Sequence, residues 1–437
     1  MELAKCKQGK CSISELYDVF RCSSCVCTDT RSIVPNSLFF ALKGERFNGN
    51  AFARQALEQG ARAAVIDEAT YMVEGCILVD DALDALQQLA RHHRRQLGVR
   101  VVGITGTNGK TTTKELLAAV LATKYCTVAT RGNLNNHIGV PLTLLSLTPD
   151  VEVAVVEMGA NHPNDIAELV DIAEPNCGLI TNIGRAHLAG FGSFEGVVRA
   201  KTALYRYLAQ HNGMAFYNSE SEVLAEQVVQ CGLKHAIAYS TFADGLVRVA
   251  ERNGFLRIEL CIGGVSHCLD THLVGVYNAE NVMAALAVGL HMGVSEADAL
   301  AAVAAYEPSN NRSQRIDTGR NVVIMDAYNA NPSSMAAAIG GFAALAAGNK
   351  VAIVGEMLEL GHYAAQEHRR VVEQLAAAGI DRVILVGGGF AVEHRGFEYF
   401  ATAADCAAAI RQHPIEGSTV LLKGSRGVRL EQLLDLL

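Results

Sequence analysis

The residues best suited to chemistry form one short glycine-rich segment, Gly106-Thr107-Asn108-Gly109-Lys110-Thr111-Thr112. An apolar run over 101–105 precedes it, and a helical pattern from Thr112 to Ala122 follows. Glycines let the backbone curl so that successive N–H groups converge on phosphate oxygens. Lys110 can neutralise β- and γ-phosphates, and the Thr111 hydroxyl can ligate Mg²⁺. The segment therefore predicts a phosphate-binding loop between a strand and a helix.

The spacing of this loop differs from the common phosphate-loop pattern GxxxxGK[ST]. The residue five before Gly109 is Ile104, so the pattern fails by one residue and the loop is the shorter form G-T-N-G-K-T. A glycine turn with a chance Lys-Thr is the alternative, and the flanking strand and helix argue against it. We interpret a weaker glycine-rich signal, Gly387-Gly388-Gly389, as an ordinary strand-to-helix turn.

A second candidate group is the carboxylate of Glu157, at the end of an apolar run over 151–158. A carboxylate, the Thr111 hydroxyl and phosphate oxygens together make a suitable ligand set for Mg²⁺. The alternative is a solvent-facing residue at the end of a strand.

The elements that must position these groups alternate between strands and helices. Apolar runs predict strands at 37–42, 63–66, 101–105, 151–158, 177–183, 322–326, 351–355, 383–387 and 419–423. Helical patterns lie between them, as at 52–60, 83–97 and 112–122. This alternation predicts α/β domains with parallel sheets covered by helices on both faces. The segment 254–269 alternates apolar and polar residues and predicts a local antiparallel ribbon.

Length and turn content predict three domains. The chain has 437 residues, and about 150 residues per domain is usual. A turn-rich segment over 306–311 marks one boundary. We predict a small N-terminal α/β domain over 1–83, a central P-loop ATPase-like parallel sheet over 84–311, and a C-terminal Rossmann-like doubly wound domain over 312–437.

Composition excludes several classes of protein. The formal net charge of −8 provides no basic field for nonspecific binding to nucleic acid or an anionic membrane. No apolar run reaches the roughly 18 residues that span a bilayer, and no secretory signal is recognised at the N-terminus. We therefore expect a cytoplasmic protein whose 12 cysteines are reduced. Cys22 and Cys25 have CxxC spacing, but no second ligand pair follows at zinc-finger spacing.

Several segments, taken in order, resemble the Mur ligase family. They are the loop GTNGKT, the segment 132–141 (GNLNNHIGVP), Glu157-Met158-Gly159-Ala160, Thr181-Asn182-Ile183-Gly184 with Ala186-His187-Leu188, and Tyr277-Asn278-Ala279-Glu280-Asn281. The resemblance covers nearly the whole chain. It implies an ATP-dependent ligase that activates a carboxylate as an acyl phosphate and joins it to an amine, with ATP and Mg²⁺ as cofactors.

Further motifs resemble those of the family members that add D-alanyl-D-alanine to UDP-N-acetylmuramoyl-tripeptide in peptidoglycan synthesis. They are the segments 326–335 (DAYNANPSSM), 355–361, 423–426, 28–31 and 38–44. The DNPR motif of the preceding ligase is absent. The resemblance implies these two substrates, and we expect a monomer. One departure lies at Asn48-Gly49-Asn50, where family members often carry an Asp-His pair.

The resemblance also implies which residues form the site. The implied catalytic residues are Lys110, Lys201 and His187, and the implied metal ligands are Thr111, Glu157, His187 and Lys201. The implied nucleotide contacts are Gly106 to Thr112, Asn278, Asn281, Arg312 and Asp326. The implied substrate contacts are Thr30, Arg31, Lys43, Asn329, Asn331, Lys423 and Arg426.

Several of these roles have an alternative. Lys201, which the family carbamylates, would on most helices be a solvated lysine. Asn278 can cap a helix instead of binding adenine, and Arg315 can take the place of Arg312. Either Lys423 or Arg426 can form a structural salt bridge instead of binding the dipeptide carboxylate.

For the whole chain, a sister ligase with another amino substrate is one competing interpretation. A nucleotide-gated switch protein is the other, but the chain lacks an NKxD motif for guanine.

Overall fold

The chain forms two compact units in a computed structural model, which describes residues 11–185, 188–240, 248–262, 264–309 and 311–437. The first unit comprises the described residues up to Gly103, Tyr125–Gly159 and Asn164–Cys177. The second comprises Ile104–Lys124, Ala160–Pro163 and the described residues from Gly178 to Leu437. Within the described ranges, every helix is too short or too polar to cross a bilayer.

The helices of the described residues are numbered in chain order. They are α1 Ile13–Arg21, α2 Ala53–Glu58, α3 Ala82–Leu97, α4 Lys110–Ala122, α5 Gly139–Leu145, α6 Asp165–Ala173, α7 Leu188–Phe191, α8 Phe194–Lys201, α9 Ala203–Gln210, α10 Glu222–Gln230, α11 Asn278–His291, α12 Glu296–Ala305, α13 Pro332–Ala344, α14 Ala364–Ala377 and α15 Ala403–Gln412.

The strands are numbered in the same way. They are β1 Val26–Cys27, β2 Leu38–Phe40, β3 Lys43–Gly44, β4 Phe47–Asn48, β5 Ala63–Ile66, β6 Cys76–Leu78, β7 Arg100–Thr105, β8 Thr127–Ala129, β9 Val153–Glu157, β10 Cys177–Ile180, β11 Met214–Asn218, β12 His235–Tyr239, β13 Arg248–Arg252, β14 Phe255–Ile262, β15 Val265–Asp270, β16 Gln314–Asp317, β17 Val322–Asp326, β18 Lys350–Gly355, β19 Arg382–Val386, β20 Glu398–Phe400 and β21 Thr419–Lys423.

The first unit begins with a four-stranded parallel sheet in the order β1-β2-β5-β6. Strands β2 and β5 are wholly buried, as expected for short apolar runs in a parallel sheet. Helix α3 follows, capped by the Asp81 carboxylate at its start and by Gly98, with φ +64°, at its end. The predicted N-terminal α/β unit and the helix after it are confirmed.

A six-stranded sheet in the order β12-β11-β10-β7-β9-β8 carries the middle of the chain. Strand β8 pairs parallel with β9, and β11 pairs parallel with β12. The predicted strands at 101–105, 151–158 and 177–183 all lie in it. Strand β7 begins one residue earlier than predicted, and β9 and β10 are shorter by three residues each. The predicted antiparallel ribbon is also confirmed, as the three-stranded sheet β13-β14-β15.

The C-terminal sheet has the order β16-β17-β21-β18-β19-β20 and is parallel except for the edge strand β16. Ile324 of β17 packs into the core on one face, while Val323 and Met325 pack into the core on the other. The strand therefore needs apolar side chains at consecutive positions, which confirms the predicted doubly wound sheet. The strand-to-helix turn predicted at Gly387-Gly388-Gly389 leads from β19 into a short 3₁₀ helix over Gly388–Phe390, and β20 follows it.

Candidate active site

The phosphate loop takes a shape that only glycine fits at two positions. Gly106, directly after β7, has φ +147°, and Gly109, which caps α4, has φ +78°. A Cβ at Gly106 would collide with the Thr181 hydroxyl, and one at Gly109 would collide with the side-chain oxygen of Asn281. Both glycines are therefore required by backbone conformation and by close neighbours.

Hydrogen bonds from the segment after β10 hold the phosphate loop in place. The Asn108 N–H donates to the Asn182 side-chain oxygen at 2.9 Å, and the Thr181 hydroxyl donates to the Asn108 carbonyl at 2.6 Å. The Gly184 N–H donates to the Thr107 hydroxyl at 2.9 Å. These bonds fix the loop before any ligand arrives, which lowers the cost of ordering it around phosphate.

Two lysines converge on one carbonyl of the loop. Lys110 Nζ donates to the Gly106 carbonyl at 2.8 Å and to the Thr107 carbonyl at 3.0 Å. Lys201 Nζ, at the last residue of α8, donates to the same Gly106 carbonyl at 2.9 Å and is only 2% exposed. Burial lowers the pKa of Lys201 well below its ordinary value, and the Lys110 charge lowers it further. Lys201 is therefore not the solvated lysine of the alternative interpretation.

Glu157 is the last residue of β9 and is buried, with 2% of its surface exposed. Asn135 Nδ2 donates to its carboxylate at 2.8 Å, and its backbone N–H donates to the Thr130 hydroxyl at 2.9 Å. The solvent-facing strand end is thereby excluded. His187, the other metal ligand predicted at the end of a strand, lies outside the described residues.

Side chains that could bind a metal ion without help from a nucleotide do not cluster in the described ranges. Within the ranges that the structure describes, no group of three or more His, Cys, Asp or Glu side chains could hold a metal ion. A magnesium set of the predicted kind draws on Thr111, at the start of α4, and on phosphate oxygens. Carboxylate and hydroxyl oxygens are the donors that Mg²⁺ prefers, so the residue types fit that ion.

The two asparagines predicted to bind adenine lie in the first turn of α11. Asn278 Nδ2 donates to the Val274 carbonyl, and Asn281 Nδ2 donates to the Asn278 side-chain oxygen, each at 2.8 Å. The Thr113 hydroxyl donates to the Asn281 oxygen at 3.0 Å. The helix cap is Tyr277, so Asn278 does not take the capping role. Asn281 packs directly behind the phosphate loop, and the adenine contact stays a prediction.

In the C-terminal sheet, Asp326 and Lys423 end two paired parallel strands. Lys423 Nζ lies 2.9 Å from the Asp326 carboxylate and donates to the Asn329 carbonyl at 2.7 Å. Lys423 is 2% exposed, so the ion pair is internal and braces the turn that carries Asn329. The structural salt bridge considered from sequence is present, and the dipeptide contact stays a prediction.

Two of the predicted arginines meet at one tyrosine. The guanidinium of Arg312 lies 3.9 Å from the centre of the Tyr328 ring, and that of Arg426 lies 5.6 Å from it. Arg315 instead packs 5.5 Å from the Phe255 ring in the neighbouring ribbon. Arg312 is therefore the arginine that lies beside the other predicted residues, and its ring contact leaves guanidinium N–H groups for an anion.

The first unit carries the contacts predicted for the UDP-muramyl peptide, which are Thr30, Arg31 and Lys43. Arg31 forms a bidentate pair with Asp29, and these hydrogen bonds lower the pKa of the Asp29 carboxyl to about 2. Thr30 lies beside it, in the same 3₁₀ turn. Lys43 Nζ lies 3.1 Å from the buried Asp67 carboxylate. These cations are held in place by partners and remain partly exposed, with 89% for the Arg31 side chain and 46% for that of Lys43.

Asn48 and Asn50, where the sequence departs from the family, form an amide network. Asn50 Nδ2 donates to the Asp67 carboxylate and to the Asn48 side-chain oxygen, both at 2.8 Å. Asp67 also accepts the Ala82 N–H at 3.2 Å. The network keeps the Lys43 hairpin rigid without a histidine.

Family models match three consecutive parts of the chain. Residues 24–94 match the catalytic domain of the Mur ligase family, residues 104–289 the Mur ligase middle domain, and residues 311–426 the glutamate ligase domain of Mur ligases. The chain belongs to the Mur ligase family. This Mur ligase is an ATP-dependent, ADP-forming enzyme with the predicted three-domain α/β architecture.

Relatives and solved structures cover this Mur ligase along its length. UDP-N-acetylmuramoyl-tripeptide–D-alanyl-D-alanine ligase of Bacillus subtilis (strain 168) is 36% identical, over 93% of this chain and 92% of that one. MurF from Acinetobacter baumannii superposes with a TM-score of 0.87 at 30% identity, over 97% and 98% of the two chains. MurF ligase from Thermotoga maritima in complex with ADP gives 0.85 at 26% identity, over 96% and 97%.

Several supporting residues of this Mur ligase escaped the sequence analysis. Asn135, Thr181 and Asn182 were noted only for their resemblance, and no role was predicted for any of them. Asp67 was overlooked, although its position directly after the buried run over 63–66 was a usable signal. Asp67, Thr181 and Asn182 all follow apolar strands, and each holds a neighbouring loop in place through hydrogen bonds.

Proposed function

We propose that this Mur ligase joins D-alanyl-D-alanine to UDP-N-acetylmuramoyl-tripeptide, with ATP converted to ADP and phosphate, in the synthesis of peptidoglycan precursors. The observation that carries the proposal is the full-length likeness to the Bacillus subtilis ligase of that specificity, at 36% identity over 93% of this chain. The likeness includes the C-terminal domain, where the incoming amine must bind. A cytoplasmic monomer with domain boundaries at 83/84 and 311/312 is part of the proposal.

The reaction has two steps. A carboxylate oxygen of the tripeptide attacks the γ-phosphorus of ATP, and ADP leaves, which gives an acyl phosphate. The amine of the dipeptide then attacks the acyl carbon, phosphate leaves with the bonding electrons, and the nitrogen loses a proton. Two anions meet in the first step, so catalysis rests on positioning and on neutralising charge.

The phosphate loop supplies most of that neutralisation. Backbone N–H groups at the start of α4 cradle the β- and γ-phosphates, while those of Thr107 and Asn108 stay bonded to Asn182 and hold the loop in shape. Lys110 Nζ leaves its loop carbonyls to contact the phosphates. Thr111 and Glu157 would hold Mg²⁺, together with His187. The ion, when bound, places positive charge against phosphate oxygens.

Lys201 acts in this proposal as a carbamate. Its neutral amine attacks the carbon of CO₂, so an N–C bond forms while one C=O π bond breaks onto oxygen, and the nitrogen loses a proton. A neutral amine thereby becomes an anionic oxygen ligand. The lowered pKa of Lys201 supports this role, since only the uncharged amine reacts.

The substrates occupy the two ends of the chain. Thr30, Arg31 and Lys43 bind the UDP-muramyl part, with exposed cations suited to its diphosphate. Asn329, Asn331, Lys423 and Arg426 shape the dipeptide site. Nucleotide contacts from Arg312, Asp326, Asn278 and Asn281 complete the proposal.

A sister ligase that adds a single amino acid is the second candidate. It is favoured by the description of the C-terminal family model as a glutamate ligase domain. Phosphate release from ATP with UDP-N-acetylmuramoyl-tripeptide separates the two candidates. We expect release with D-alanyl-D-alanine and not with D-glutamate or D-alanine. Release that needs a single amino acid and ignores the dipeptide would overturn the proposal.

A further inference from the structure

Asn331 carries two different hydrogen bonds on one side-chain amide. Its oxygen accepts the Ser334 N–H at 2.9 Å and caps α13, which begins with Pro332. Its Nδ2 donates to the side-chain oxygen of Asn108 in the phosphate loop at 2.8 Å. The side-chain oxygen of Asn331 therefore bonds within the C-terminal domain, and its side-chain nitrogen bonds to the phosphate loop.

The partner, Asn108, has little freedom to follow Asn331. Its backbone N–H and carbonyl are both held by the segment after β10, through Asn182 and Thr181. Asn331 therefore bonds to a side chain whose backbone is fixed, so the position of the phosphate loop determines where its Nδ2 can be placed.

A second close approach lies beside this bond. A Cβ at Gly184, in the segment after β10, would come within 2.8 Å of the Ser333 hydroxyl, in the first turn of α13. Gly184 itself is bonded to Thr107 of the loop. The start of α13 therefore touches both the loop and the segment that supports it, so the hydrogen bond is part of a packed contact.

We propose that Asn331 is a positioning residue, which couples the phosphate loop to the start of α13 through its bond to Asn108. The turn that leads into α13 carries Asn329, whose carbonyl is braced by Lys423. Occupation of the loop by ATP thereby sets the position of the amine-binding part of the C-terminal domain. The inference rests on the proposed function for the identity of the amine, but the coupling itself does not depend on which amine is used.

A double-mutant cycle tests the coupling. Asn331→Ser keeps an oxygen that caps α13 but has no donor that reaches Asn108 while capping, and Asn108→Ala removes the acceptor. Each single variant should lower kcat/KM for the amine by about 3- to 10-fold, the worth of one hydrogen bond. The double variant should lose no more than the larger single loss. Losses that multiply, or single variants that match the wild type, would overturn the proposal.

Helix capping is separated from coupling by Asn331→Ala, which removes both bonds. Its Tm should fall below that of Asn331→Ser, whose Tm should stay near the wild-type value. A KM for D-alanyl-D-alanine that changes in the Asn331 variants while Asn108→Ala has no effect would indicate a direct contact with the dipeptide and would refute the coupling.

Hydrogen exchange gives a test that needs no variant at Asn331. A non-hydrolysable ATP analogue should slow amide exchange in the peptide 331–336 of the wild type, and Asn108→Ala should remove that effect. Slowing that persists in Asn108→Ala would contradict the coupling. A wild type that ignores the dipeptide would fail the proposed function instead, and the cycle would then be run with the amine that it accepts.

Discussion

At the residue scale, Lys201 lies where an ammonium is costly. It is buried beside Lys110 and shares the Gly106 carbonyl with it. Burial and the like charge of Lys110 both favour the neutral form of the Lys201 amine. The sequence contained Lys201 as an ordinary helical lysine, and only the resemblance pointed to its role. Burial of a side chain depends on the tertiary packing of α8, which local pattern does not encode.

Lys201→Met should separate stability from activity. Methionine has a similar volume and removes the cost of burying the amine, so we expect Tm to rise by a few degrees. Phosphate release should fall by at least about 100-fold, since an oxygen ligand is lost from the site. Differential scanning calorimetry measures Tm, and the phosphate-release assay measures activity. A variant that keeps its activity would contradict the assigned role of Lys201.

Carbamylation of Lys201 gives a pH dependence with a defined sign. The folded pKa is lowered, so the neutral amine appears at a lower pH than in an ordinary lysine and its fraction grows as pH rises. In ¹³C-bicarbonate, a carbamate resonance should therefore appear in the ¹³C spectrum and strengthen with rising pH. Lys201→Gln is the control, and a wild-type spectrum identical to that of the control would refute the carbamate.

At the element scale, the turn after β7 depends on glycine at position 109. Gly109→Ala meets both a positive φ and the Asn281 side chain, whereas Gly319→Ala meets a φ of +79° with open space around it. We expect Gly319→Ala to cost about 1 kcal/mol, and Gly109→Ala to cost more and to weaken binding of ATP. Urea unfolding and nucleotide titration check this. Equal costs for the two variants would show that the contact with Asn281 is unimportant.

The ends of β17 and β21 depend on the pair Asp326 and Lys423. Asp326→Asn leaves the buried Lys423 charge without its partner, which should cost about 3–5 kcal/mol of unfolding free energy. The double variant Asp326→Asn/Lys423→Met should recover part of that loss, because no buried charge remains. Denaturant unfolding of the single and double variants gives the comparison. A double variant less stable than Asp326→Asn alone and Lys423→Met alone would contradict an internal ion pair.

Sequence patterns predicted the central strands of the C-terminal sheet better than its edge strands. The central strands of the C-terminal sheet are continuous apolar runs, so β17 and β21 were located to the residue. The edge strands β16 and β20 are short, contain polar residues and have no fully buried residue, and they were missed. The cap at Asn331 was also missed, although Asn followed by Pro is a signal for the start of a helix.

At the scale of the whole molecule, the negative net charge of the protein repels its anionic substrates. The net charge is −8, and both ATP and the UDP-muramyl peptide are anions, so binding depends on local N–H groups and a few cations. Raising the salt concentration should screen this repulsion. We expect kcat/KM for ATP to stay level or rise between about 20 and 200 mM salt, where the Debye length shortens. A steep fall would show that long-range attraction, not local contacts, guides binding.

The organisation into three α/β domains was predictable because each domain has its own run of strands and helices. The residues that link domains were not predictable, since Asn108 and Asn331 lie far apart in sequence and each has a sufficient local explanation. Asn108 belongs to a loop motif, and Asn331 to a cap. Their bond is visible only in three dimensions.

The central claim is that the phosphate loop activates a peptide carboxylate for joining to a dipeptide. It is tested most directly with UDP-N-acetylmuramoyl-tripeptide labelled with ¹⁸O in its terminal carboxylate, incubated with enzyme, ATP and D-alanyl-D-alanine. The mechanism predicts one ¹⁸O atom in each phosphate released, and a product five residues long in its peptide. Unlabelled phosphate, with the lost ¹⁸O atom found in water instead, would contradict the account.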